Sequence, residues 1–145
     1  AAARSAGLPV LHIHHDDPDP KSGFRIGTPG GVPMACATPA AGEPVIVKHG
    51  SSGFIGTGLE ERLRRDGITR LIVIGASVSY CVSSTVRMAA NLGFGVTLVT
   101  DAVFGFGVRG PDGRVHDPDT VLSVTLGLLA GFAALGPADE VIAGF

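Results

Sequence analysis

The sequence holds no tryptophan, a single tyrosine and two cysteines, and only 17% of its 145 residues are charged. Each scarcity removes a class of protein. Two thiols, Cys36 and Cys81, cannot staple a chain of this length. Without a secretory signal they are expected to be free, in a reducing and therefore cytoplasmic setting. Basic residues never run longer than the pair Arg64-Arg65 and the net charge is −2, so nucleic acid and anionic membrane are not expected partners. No apolar stretch reaches the roughly 20 residues that span a bilayer; residues 122–135 come nearest and read as a buried helix. Lysine is scarce as well, at Lys21 and Lys48 alone. There is no initiator methionine. The opening Ala1-Ala2-Ala3-Arg4-Ser5-Ala6-Gly7 has no N-cap and looks like the tail of a helix closed by Gly7. A helix entered in mid-course leads us to expect that a short segment precedes it.

What is present is apolar: hydrophobic residues make up 45%, and the mean hydropathy is +0.38. A chain of this length fits one domain over 1–145 with a sizeable core. Apolar runs over 9–14, 44–49, 70–76 and 96–100 read as strands, and 139–143 as a short last one. Helical patterns over 58–66, 80–92 and 118–135 alternate with them. Strands separated by such helices imply right-handed crossovers and a parallel sheet. Runs that are apolar throughout imply helices on both faces. The expected class is therefore α/β, a three-layer α/β/α fold with a doubly wound, mostly parallel sheet. Two Gly/Pro-dense connections, 16–38 and 104–114, exceed ordinary loop length, and such loops are commonly functional.

In such a sheet the chemistry collects beyond the C-terminal strand ends. Those ends offer His14-His15-Asp16-Asp17, Lys48-His49, Cys81 and Asp101. The third end is the most telling. Leu71-Ile72-Val73-Ile74 runs into Gly75-Ala76-Ser77, and Cys81 opens the helix that follows. A thiol there sits at the positive end of the helix dipole among unpaired N–H groups, a field that favours the nucleophilic thiolate and can hold an oxyanion. The competing reading is a small buried helix residue. Lys48 ends the apolar run Val45-Ile46-Val47. It either snorkels to the surface or stands beside an anionic partner such as that thiolate.

Pro44-Val45-Ile46-Val47-Lys48 with Ser51-Ser52-Gly53-Phe54-Ile55-Gly56-Thr57-Gly58-Leu59 closely resembles the lysine strand and following segment of isochorismatase-like cysteine hydrolases. Gly67-Ile68, then Leu71 to Gly75, then Cys81-Val82 and Thr85 resemble that family's nucleophile segment. Leu92-Gly93-Phe94, Val99-Thr100-Asp101-Ala102, His116 and Asp139-Glu140-Val141-Ile142 continue the likeness in order over nearly the whole chain. The resemblance implies a Cys-Lys-Asp triad on a six-stranded parallel sheet. Cys81 would attack a carbonyl carbon and Lys48 would balance charge. A cis peptide would fall at Ala76-Ser77, and the backbone N–H groups of Ser77 and Cys81 would form the oxyanion hole. The family's triad Asp sits on a first strand ahead of the opening helix, and no residue here matches it. Asp16 and Asp17 lie at an adjacent strand end but fill no triad position.

His15, Phe24, Phe54 and Tyr80 are the candidate pocket residues, the aromatics being equally suited to the core; Cys36 is read as a bystander. Nicotinamidase-like members carry an Asp-x-His pair after the strand that here ends His12-Ile13-His14-His15, and that pair is missing. His12 and His14 share a strand face where packing can satisfy them, so no metal and no cofactor is expected. The expected activity is hydrolysis of a C–N bond in a small amide, imide or carbamoyl compound through a thioester, by a homo-oligomer (dimer or tetramer). The alternative is a catalytically inactive binding or scaffold relative.

Overall fold

The computed structural model describes residues 1–145. Its elements are α1 (Ala2–Ser5), β1 (His12–His15), β2 (Val45–Lys48), α2 (Leu59–Arg65), β3 (Arg70–Ala76), α3 (Ser83–Asn91), β4 (Gly95–Phe104), β5 (Val108–Arg109), β6 (Val115–His116), α4 (Pro118–Leu129), β7 (Ala134–Gly136) and α5 (Ala138–Ala143). A π turn, Val78–Val82, joins β3 to α3. All pairings among the five longer strands are parallel, as βαβ connections require, so the chain is α/β. They fall into two groups, β1-β2 and β3-β4-β7. Within them β1 pairs with β2 alone and β3 with β4 alone, so each half carries a strand with an unpaired edge. The pair β5-β6 is a small antiparallel ribbon inside the stretch read from sequence as loop.

Alternation decides which side chains face the core. In β3, Leu71 and Val73 pack inward whereas Ile72 and Ile74 are exposed on the opposite face. In β2, Ile46 packs inward between exposed Val45 and Val47. The core lies between this inner face and helices α2, α3 and α4. Leu98, Val78, Val86 and Leu129 are its fully buried centre, ringed by Leu59, Leu63, Phe54 and Phe94. On the other face, α5 packs against β4, where Val99 is buried and the Asp101 Oδ1 accepts from the Ala138 N–H at 2.8 Å. The expected helical cover of both faces is thus present over β4 and absent over β2 and β3. Those strands are apolar throughout, but their outward aliphatics remain open.

The C-terminal third departs most from the sequence reading. The helix expected to reach residue 135 stops at Leu129, and β7 follows within a few residues. The last strand expected over 139–143 is the helix α5, entered from Pro137. Pattern alone cannot separate a short buried strand from the continuation of an apolar helix. The expected first and second strands shorten to His12–His15 and Val45–Lys48, and the fourth runs on to Phe104. That last extension has a mechanical cause: the β3-β4 register shifts between Val73 and Gly75, so Gly75 pairs with Val103 rather than continuing the first register. Gly75 stands at φ 121° there, a conformation open to glycine without strain.

Candidate active site

Two strand ends, one from each of the two parallel sheets, build the site. The β2 run turns only Ile46 inward and ends in Lys48, which is 3% exposed. A buried ammonium is tolerable only with its donors satisfied. Its three N–H groups meet three acceptors: Cys81 Sγ at 3.2 Å, His15 Nδ1 at 3.1 Å and the Gly50 carbonyl at 2.8 Å. Lys48 therefore points inward across the site and does not snorkel.

Cys81 arrives from β3. After Ala76 the peptide to Ser77 is cis, and the chain turns through the π turn, where the Val82 N–H donates to the Ser77 carbonyl five residues back at 3.1 Å. The thiol is half-buried and unpaired with Cys36, which lies exposed in the long loop. The Ser77 N–H donates to no protein acceptor, leaving it free beside the turn that carries Cys81. Its companion Cys81 N–H stands in the same turn. Contacts from the segment after β2 hold this turn in place. Thr85 Oγ1 donates to the Cys81 carbonyl at 2.7 Å and accepts from the Gly53 N–H at 2.9 Å. Ser51 and Ser84 share a hydroxyl hydrogen bond of 2.8 Å. The stretch 51–58 thus acts as a brace, tying the lysine strand to the cysteine helix.

His15 is in lateral register with Lys48, which is why the two side chains meet. Burial pushes His15 below the ordinary histidine range, and the Lys48 charge pushes it further; Asp17 and Asp16 oppose with smaller effects. His15 is therefore neutral near pH 7. Because an ammonium can only donate, Nδ1 is the acceptor and the proton resides on Nε2. The three histidines of β1 separate. His12 Nε2 bonds Glu43 at 2.8 Å, His14 stands edge-on to His12, and His15 alone turns to Lys48. Burial, then His12, holds His14 low. No group of three or more His, Cys, Asp or Glu side chains is gathered as a metal site would require.

The four pocket candidates scatter. Tyr80 is exposed and lines a cleft of about 410 Å³ with Ser79, Val108, His116, Thr120 and Val124. Phe24 is exposed in the loop 16–38, whose shape comes from two 3-10 turns and from Asp16 Oδ1 accepting the Ile26 N–H at 2.9 Å. Phe54 turns away from the site: it is 8% exposed and packs against the Phe94 ring at 5.9 Å, a core residue rather than a pocket wall. Asp101 is occupied in holding the start of α5. The π turn and the His15–Lys48 contact were missed in the sequence. The turn has no composition signature, whereas lateral pairing of two strand-end residues was open to inference.

Comparison with known proteins places the chain in a family. The family model "Isochorismatase domain" matches residues 1–114. The uncharacterized isochorismatase family protein YrdC of Bacillus subtilis (strain 168) is 35% identical over 143 residues, 98% of this chain and 76% of that protein. Streptothricin hydrolase of Streptomyces noursei is 35% identical over 100 residues, 69% of this chain but only 39% of that enzyme. A crystal structure of an isochorismatase-family protein from Chromobacterium violaceum ATCC 12472 superposes with a TM-score of 0.93 at 42% identity, covering 98% of this chain and 74% of that one. A cysteine and a buried lysine in contact at the strand ends of an α/β sheet, with a likeness that spans nearly the whole chain, lead to one assignment: this chain belongs to the isochorismatase family of hydrolases.

Proposed function

We propose that the protein is a cysteine-dependent hydrolase that cleaves a C–N bond in a small amide, imide or carbamoyl compound. The observation that carries this reading is the 3.2 Å contact between Lys48 Nζ and Cys81 Sγ. A buried ammonium with no carboxylate on it is best matched by a sulfur that carries negative charge. The thiolate attacks the carbonyl carbon, forming a C–S bond and a tetrahedral oxyanion that the Ser77 and Cys81 N–H groups receive. Collapse breaks the C–N bond, and the nitrogen leaves with a proton from the Lys48 ammonium, the group in contact with Cys81 that holds the one the thiol gave up. Water then cleaves the thioester, releasing the acid and restoring the thiol. The name of streptothricin hydrolase points to hydrolytic chemistry in a relative. Tyr80 and His116, which line the cleft beside the nucleophile turn, are the residues that would select the substrate. Exposed Val124 and Leu128 on α4, with Val115 and Phe106 nearby in sequence, support a homo-oligomer.

The test is turnover of a panel of small amides, imides and carbamoyl compounds, with intact-mass detection of an acyl adduct on Cys81. Hydrolysis in the parent, an adduct under hydroxylamine-free quench, and loss of both in Cys81→Ala are expected. Undiminished hydrolysis in Cys81→Ala would sink the mechanism. A Cys81 with ordinary thiol reactivity and no turnover of any compound would leave a non-catalytic binding relative.

A further inference from the structure

We infer that His15 is a positioning residue for the nucleophile: as a neutral acceptor it aims the Lys48 ammonium at Cys81, and when it takes up a proton it releases that aim. The inference rests on the Cys81–Lys48 reading and extends it to a residue outside that pair. The buried ammonium has three donors and three partners, and each partner has a distinct character. Gly50 is backbone and fixed. Cys81 is the reacting group. His15 is the one partner that can be switched without chemistry at carbon.

The switching follows from the atoms. Nδ1 accepts from Nζ at 3.1 Å, so in this contact the imidazole is neutral and carries its hydrogen on Nε2, for which no protein group acts as partner. A second proton on His15 has only Nδ1 to go to. It would abolish the acceptor and set two cations 3.1 Å apart in a half-buried place. The ammonium would then keep two of its three anchors and swing. The groups facing His15 are Lys48 and His49 from the end of β2 and Asp16 and Asp17 at the end of its own strand, with Cys81 beyond the lysine. The carboxylates favour the imidazolium, but burial and the Lys48 charge outweigh them, so the contact persists at neutral pH and is lost on the acid side. His49 does not replace it, since its Nδ1 is engaged with the Asp16 carbonyl at 2.7 Å.

The experiment is the rate of Cys81 alkylation by iodoacetamide between pH 5 and 8, followed by intact mass in a Cys36→Ser background. His15→Ala removes the acceptor; His15→Asn keeps a neutral oxygen close to the Nδ1 position and cannot titrate. Loss of a hydrogen bond to a charged group corresponds to roughly tenfold or more. His15→Ala is expected to alkylate about tenfold more slowly at pH 7.5, and His15→Asn to stay within about threefold of the parent. Below pH 6 the parent rate should fall more steeply than that of His15→Asn. A His15→Ala rate equal to the parent's across the range, or a His15→Asn rate as low as that of His15→Ala, overturns the inference. Thermal melts of both variants show whether either fails to fold, and the Asn variant alone then decides by the steepness of its acid limb. Lys48→Met separates the layers of the argument. If it alkylates as fast as the parent, the Cys81–Lys48 reading falls; if it is slow while both His15 variants match the parent, His15 alone is excluded.

Discussion

The two parallel sheets, one half of the strand array each, are held together by different physics. In β3-β4-β7 the strands are set by apolar burial: Val96, Leu98, Val99 and Val103 of β4 are all buried, and the helices on either face close over them. In β1-β2 no aliphatic side chain is fully buried, and Lys48 is the one buried residue. Polar contacts do the fastening there. Glu43 accepts from Arg4 at 2.6 and 2.8 Å, from the Ala40 N–H at 2.7 Å and bonds His12 at 2.8 Å, gathering α1, β1 and the approach to β2 around one carboxylate. Cys81, the proposed nucleophile, thus hangs from the apolar half and Lys48 from the polar half. The site spans both and depends on the alignment of two units that respond to different perturbations.

The largest expected effect comes from removing the reacting atom. Cys81→Ala should lower turnover by roughly a thousandfold or more, with the melting temperature near that of the parent, since the thiol is only half-buried. Breaking the apolar half instead should unfold rather than inactivate. Leu98→Ala empties a fully buried position and should cost about 2–5 kcal/mol in denaturant unfolding. Full stability in that variant would show that the centre of the core lies elsewhere. Lys48→Met cuts the link between the halves with little change in shape. It should lower turnover on the order of a hundredfold while costing only about 1–3 kcal/mol of stability, because His15 Nδ1 and the Gly50 carbonyl lose their donor while Cys81 can take a proton. A large stability loss with activity retained would make Lys48 a structural residue.

The same division explains what could be read from sequence. The apolar half was legible in type, because Leu71 to Ile74 and Val96 to Thr100 are aliphatic runs that physics places in a parallel sheet. It was illegible in its boundaries: Ala134-Leu135-Gly136 and the preceding helix share one apolar composition, and only the tertiary pairing of Leu135 with Leu98 selects strand. Of the site, Cys81 and Lys48 stood out because a thiol after a Gly-Ala-Ser turn and a lone cation ending an apolar run are both costly without a purpose. Phe54 stayed open between pocket and core, since an aromatic near a motif carries no mark of which way it faces; its burial places it in the core. The outward Ile72 and Ile74 were read as covered because a strand's sequence cannot tell which of its faces a helix reaches.

The smallest effects are those of protons on the polar half, and they come in two steps. Burial holds His14 and His15 below the ordinary histidine range, so between their folded values and about 6.5 the unfolded chain binds protons that the native one refuses. Stability is therefore full above that window and declines as pH falls through it. Glu43 behaves as a depressed acid. The Arg4 guanidinium, then the Ala40 N–H, hold its carboxyl far below the usual carboxylate range, so its contribution is present in full above about 4.3 and is lost as pH falls below that. Thermal melts taken from pH 8 to pH 3 should show a first decline below about 6.5 and a second below about 4.3. Glu43→Gln should lower the melting temperature at pH 7 and shrink the second decline while leaving the first in place. Equal pH profiles for Glu43→Gln and the parent would mean that α1 and the approach to β2 are held by something other than this carboxylate, and the contrast between a polar and an apolar half would fail at the residue that most clearly defines it.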